Sequence, residues 1–237
     1  MSNHRGFILS SVECLLEDAV NASRGIMDGI TSFAISEYVF QSLFLRMTGF
    51  MEQKAKCICW ELGSMDYDFR RRYFEQLTNL GEMSTYDSKK FVYINLLKIV
   101  SNKFRGFNIE TQIDKADVLN HILDTIKHLF EISPLIRYND RHFHEFVKDY
   151  NDVFNIDDFA LTENNGSPIL MRGKLINVYK GLYEFRNRCA HNVFSYQQNL
   201  PSLQTMSESS YCYENYYYRF AILFLIDTVY IDLFRLL

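Results

Sequence analysis

The chain has 237 residues, with three Pro, ten Gly, 16% aromatic residues and a net charge of −4 at pH 7. This composition excludes a disordered or collagen-like polymer and favours one large helix-rich domain, residues 1–237, over two full domains. The acidic balance also excludes a general nucleic-acid-coating protein, so any nucleic-acid contact has to be local.

In chain order, apolar spacing predicts a helix from Phe7 to Ala22 and a long one from Ser32 to Leu62, bent near Gly49 and stopped by Gly63. Asp66 opens the next element. Shorter helices are expected from Asp68 to Leu80 and from Ser88 to Phe104, the second closed by Gly106. Asp114 has the chemistry of an N-cap for a helix reaching Ile132, and a further helix is expected from Asp140 to Phe154. The acidic turn at Asp157 and Asp158 leads to Asn164-Asn165-Gly166-Ser167-Pro168, the strongest loop signal in the chain. A helix over about 171–195 follows, then a loop from Leu200 to Ser210 placed where substrate could be gripped, then a final helix over about 211–237. That last stretch is apolar, but Asp227 and Asp232 interrupt it, so it reads as a buried bundle helix and no membrane contact is expected. Its neighbours Tyr211, Tyr213, Tyr216, Tyr217 and Tyr218 offer polar surface as well as packing. No basic and apolar leader opens the chain, and Cys14, Cys57, Cys59, Cys189 and Cys212 show neither a disulfide framework nor zinc spacing. A reducing cytoplasm is the expected compartment.

The most informative segment is Glu184-Phe185-Arg186-Asn187-Arg188-Cys189-Ala190-His191. Leu175, Val178, Leu182, Phe185, Cys189 and Val193 are spaced as one apolar stripe, so Arg186, Asn187 and His191 ride on a packed helix. Asn187 and His191 share a face. Arg186 and His191 diverge by about 140° on an ideal helix, a spacing that favours a composite site in which two such helices face each other across a homodimer.

Arg-Asn-x-x-x-His late in an all-helical chain resembles the signature of the HEPN superfamily, and the Ala before the His resembles the version found in bacterial abortive-infection proteins. The resemblance lies in this one motif. It implies an all-α, HEPN-like helical bundle with additional helices. It also implies a dimeric endoribonuclease that needs no metal or other cofactor and serves as a toxin or antiphage defence effector. An antitoxin or sensor protein is an implied partner. HEPN toxins paired with nucleotidyltransferase antitoxins carry Tyr two residues after the His; here that position is Val193, and Tyr196 does not restore the pattern. The alternative reading is a non-catalytic HEPN module that binds nucleotide or a partner protein.

The residue chemistry fits the first reading. In metal-free cleavage the ribose 2′-hydroxyl attacks its own 3′-phosphate, leaving a 2′,3′-cyclic phosphate and a 5′-hydroxyl. His191 can move a proton near neutral pH. Arg186 offers a charged planar fork for phosphate, and Asn187 can orient the His or bind a phosphate oxygen. DNA lacks the attacking hydroxyl, so single-stranded RNA or an exposed loop, tRNA included, is the expected substrate. Arg188 and Lys180 are candidates for substrate binding, with Arg172, Lys174, Arg70-Arg71-Arg72 and Lys89-Lys90 as extensions of a basic strip. Glu52, on the long helix, is a candidate partner for Arg186. No metal site is expected: His142 and His144 lack a third ligand, His121 and His128 should pack within the bundle, and Asp157 and Asp158 look like loop acids.

Overall fold

The last helix is apolar all round, and such a helix is stable only when other elements surround it. In the computed structural model, which describes residues 3–25, 30–80, 83–163, 166–191 and 215–237, it forms the core. Among the described residues there are ten helices and no strand: α1 (Asn3–Leu9), α2 (Glu13–Ser23), α3 (Ile30–Met65), α4 (Tyr67–Leu80), α5 (Tyr86–Lys103), α6 (Ile109–Gln112), α7 (Lys115–Glu131), α8 (Ile136–Val153), α9 (Gly173–His191) and α10 (Tyr216–Arg235). The all-α expectation holds. Helix α10 packs against α1, α3, α5, α7, α8 and α9, and every residue from Tyr216 to Asp227 is buried. The Asn215 side chain caps it by accepting from the Tyr218 N–H at 3.2 Å. Tyr216, Tyr217 and Tyr218 therefore serve packing rather than surface, while Tyr211 and Tyr213 lie outside the described residues. Around them Phe40 stacks near-parallel on Phe130 and Phe220, with centroids 5.7 and 6.2 Å away.

Local cap chemistry sets several boundaries where the sequence puts them. Asp66 accepts from the Phe69 N–H at 3.0 Å and Asp114 from the Asp117 N–H at 3.0 Å. Other boundaries differ. The helix expected from Phe7 to Ala22 is broken into α1 and α2, because the backbone between them is bound to a buried ion pair. Lys54 Nζ meets Asp227 Oδ1 with both side chains fully buried, and the same Lys54 Nζ donates to the Ser10 carbonyl at 2.6 Å. Asp227 Oδ2 accepts from the Val12 N–H at 2.8 Å. Helix α3 continues through Gly49 and past Gly63 to Met65, since Phe69 and Arg70 of α4 lie against Gly63 and hold that last turn. Helix α8 starts at Ile136, ahead of the expected Asp140, and is kinked at Asn139.

The expected loop closes through Gly166 N–H to Glu163 O at 2.8 Å and an isolated antiparallel bridge between Thr162 and Pro168; Asn164 and Asn165 lie outside the described residues. Just before it, Asp158 has a task beyond that of a loop acid. Its Oδ2 accepts from the Lys174 N–H at 3.0 Å, capping α9 from sixteen positions upstream. The capped turn begins at Gly173, which has φ +55° and lies so close to the Asp158 carboxylate that a Cβ there would overlap it. Gly173→Ala is expected to destabilise the protein by about 2–3 kcal/mol, through left-handed strain and loss of the cap. Urea unfolding reads this directly, and an unchanged midpoint would show that the Gly173 to Asp158 contact is dispensable.

Candidate functional site

The first turns of α9 are anchored by Leu175, Val178, Tyr179 and Leu182, all buried. From Phe185 to Cys189 the helix is only half-buried, and this stretch carries the motif. Phe185 fixes its orientation: the ring packs 5.2 Å from Phe44 and 5.5 Å from Tyr216, and the Arg219 guanidinium sits 3.7 Å from its centroid. Gln41 of α3 donates to Cys189 Sγ at 3.3 Å, a second tie between α3 and the motif turn.

Arg186 turns towards α3. Its Nη2 lies 3.1 Å from Glu52 Oε1 and 3.4 Å from Oε2, and its Nη1 donates to Asn187 Oδ1 at 3.2 Å. The side chains are 22% and 12% exposed for Arg186 and Glu52, so the pair is largely shielded from solvent. Asn187 thus faces Arg186 in this arrangement. His191 is the last residue of α9, one turn beyond Asn187; its side chain lies outside what is described, as do Val193, Tyr196 and the Leu200 to Ser210 stretch. Arg188 is half-buried with its guanidinium 5.5 Å from the Phe185 ring, and Lys180 is exposed.

Beneath Arg186 lies a cavity of about 10 Å³, bounded by Thr48, Met51, Glu52, Lys89, Tyr179 and Arg186. It has room for about one water and none for a nucleotide.

Lys89 departs from expectation. It is 1% exposed, with Nζ donating to the Met51 carbonyl at 3.0 Å, and so cannot join an exposed basic strip. Its place in the sequence pattern carried the signal: Lys89, Val92, Tyr93, Leu96 and Val100 fall at helical spacing, and the other four are fully buried. Burial pushes the Lys89 ammonium down to about 7, an effect that the nearby Glu52 charge partly offsets. In the unfolded chain the same group keeps its proton to about pH 10. Between those values the unfolded state binds more protons, so the Lys89 contribution to stability rises with pH by up to about 1.4 kcal/mol per unit. Below pH 7 both states are charged and the penalty is constant. Lys89→Met is therefore expected to stabilise the protein most at pH 7 and below, and progressively less towards pH 10. Urea unfolding across that range tests it; parallel profiles for wild type and variant would overturn the assignment.

The rest of the expected basic strip is partly committed to structure. Arg172 Nε donates to the Asp157 carbonyl at 2.7 Å and Lys174 Nζ to the Asp152 carbonyl at 2.9 Å. Arg70 and Arg71 on α4 are exposed, and Arg72 is half-buried. Among the described residues no three His, Cys, Asp or Glu side chains gather as metal ligands, and His144 instead meets Asp140 Oδ1 at 3.1 Å. His121 and His128 are exposed rather than packed within the bundle, because the buried face of α7 is formed by Val118, Leu119, Ile122, Ile126, Leu129 and Phe130. No described helix is long and apolar enough to cross a membrane.

No family model matches the chain, and no curated protein or solved structure matches it either. The resemblance to HEPN proteins rests on the motif residues themselves.

Proposed function

We propose that this chain is a metal-independent endoribonuclease of the HEPN type, cutting single-stranded or looped RNA, tRNA among the candidates, as a toxin or antiphage effector. The observation that carries the reading is the motif helix. Arg186, Asn187 and His191 follow one another on it, and Arg186 is held by Glu52 and Asn187 while its side chain keeps 22% exposure. In the proposed reaction the 2′-oxygen bonds to phosphorus as the bond to the 5′-oxygen breaks. His191 takes the proton from the 2′-hydroxyl and a proton is returned by His191 to the leaving 5′-oxygen, while Arg186 stabilises the negative charge on the phosphoryl oxygens. Arg186 and His191 diverge around one helix, and the adjoining cavity admits only about one water. In this reading the reacting phosphate lies between two copies of α9 related by a two-fold axis.

One observation favours a second reading, a non-catalytic nucleotide- or partner-binding module: the guanidinium of Arg186 already has a carboxylate and an amide. Incubating the purified protein with total tRNA and with unstructured RNA in EDTA separates the two. The nuclease is expected to release fragments bearing 2′,3′-cyclic phosphate and 5′-hydroxyl ends, identified by mass spectrometry. RNA that is bound but never cut favours the module, and cleavage that requires added divalent metal sinks the proposed mechanism.

A further inference from the structure

The groove between α3 and α4 is not used by the reading above. It has a volume of about 210 Å³, and Trp60, Tyr73 and Phe74 line it together with Lys56 and Arg70. Trp60 is 67% exposed and Phe74 66% exposed, and the His4 ring stands perpendicular to the indole 6.2 Å away. We infer that this groove binds an unpaired base of single-stranded RNA, the base stacking on Trp60 and the adjoining phosphate facing Arg70.

Three features favour that occupant. The described lining contains two cations and no carboxylate, although the chain as a whole is acidic. Aromatic rings beside backbone-neutralising cations are the combination that holds single strands without reading their sequence. The volume also decides between ligands. It falls below the range of about 300–1,000 Å³ that encloses a drug-sized molecule, which suits one planar base entering from the open side with its phosphate at the rim.

The placement deepens the ribonuclease reading and rests on it for its biological sense, because α3 borders both sites. Glu52, the partner of Arg186, and Trp60 are eight residues apart on this helix, about 12 Å along its axis. A strand whose scissile phosphate lies at Arg186 can therefore leave an upstream or downstream base in the groove. The site would hold substrate away from the cut.

Trp60 is the single tryptophan of the chain, so intrinsic indole emission reports on this groove directly. The test titrates the wild-type protein with a 2′-O-methylated oligoadenylate of about ten nucleotides, within the usual span of single-strand sites. That oligonucleotide lacks the attacking hydroxyl and stays intact. Saturable quenching of Trp60 that weakens steeply with salt is expected. Trp60→Ala or Arg70→Ala should weaken binding of the labelled oligonucleotide about 5-fold or more by fluorescence polarisation. Both residues are exposed, and circular dichroism checks that the fold survives.

Oligonucleotide that binds without quenching Trp60, or fails to bind at all, overturns the proposal. So does a Trp60 emission change that follows protein concentration rather than RNA, which would assign the groove to a second copy of the chain. The two readings fail separately. Quenching in a protein that cuts no RNA keeps the groove and sinks the nuclease; cleavage with Trp60 unquenched sinks the groove alone.

Discussion

Asp227→Ala is expected to lower the unfolding free energy by about 3–5 kcal/mol, because it strands the fully buried Lys54 ammonium without its counter-charge. Burial pushes the Asp227 carboxyl up and the Lys54 ammonium down from their ordinary values, and each charge pulls the other back. The pair is also a junction: Asp227 holds the Val12 N–H, and Lys54 holds the Ser10 carbonyl. Lys54→Met combined with Asp227→Leu removes both charges, a change that in many cores is neutral or stabilising. Here it should recover only part of the loss, since two backbone groups at the α1 to α2 break are left without partners, at about 1–3 kcal/mol each. Urea unfolding of wild type, both single variants and the double variant measures the coupling. Additive single effects would show that the pair does not act as a unit.

That junction also marks where the sequence stops being legible. Helix starts at Asp66 and Asp114 depend on a side chain reaching an N–H three residues away, and such chemistry is visible in a local window; the same chemistry at Asn215 starts the last helix at Tyr216 rather than at the expected 211. The break between α1 and α2 depends on Asp227, 215 positions downstream of Val12, and no window shows it. Lys54 and Lys89 are intermediate cases. Each falls in register with an apolar stripe, Met47, Met51, Ile58 and Leu62 for Lys54, so periodicity alone marks both as inward-facing. Reading Lys89 with Lys90 as an extension of a basic strip leaves that register out of account.

The candidate site divides the same way. The motif and its helix are local, and the apolar stripe from Leu175 to Leu182 predicts which side is buried. Glu52 was recognisable as an acid on the long helix, but its pairing with Arg186 spans 134 positions and depends on how α3 crosses α9. The Arg219 guanidinium under Phe185 has no local signal, because an Arg near the start of an apolar helix reads equally as a flanking charge. The same is true of the Asp158 cap on α9, where one acidic turn conceals a contact with backbone sixteen residues on.

His191→Ala is expected to lower RNA cleavage about 10²–10⁴-fold, the usual share of a positioned acid or base, and Arg186→Ala about 10²–10³-fold through lost charge stabilisation. Asn187→Ala should weaken cleavage less, by the equivalent of about 1–3 kcal/mol, since its amide holds Arg186 Nη1 and cannot transfer a proton near pH 7. The Arg186 variant needs a control, because it leaves the Glu52 carboxylate in a shielded place without its partner. Glu52→Gln removes that charge while keeping an acceptor, so the double variant Glu52→Gln with Arg186→Ala should regain stability lost in Arg186→Ala. Cleavage should stay lost. A purely structural Arg186 predicts the opposite, activity returning together with stability, and that result would remove Arg186 from the reaction. Cleavage unchanged in His191→Ala would remove the mechanism as a whole.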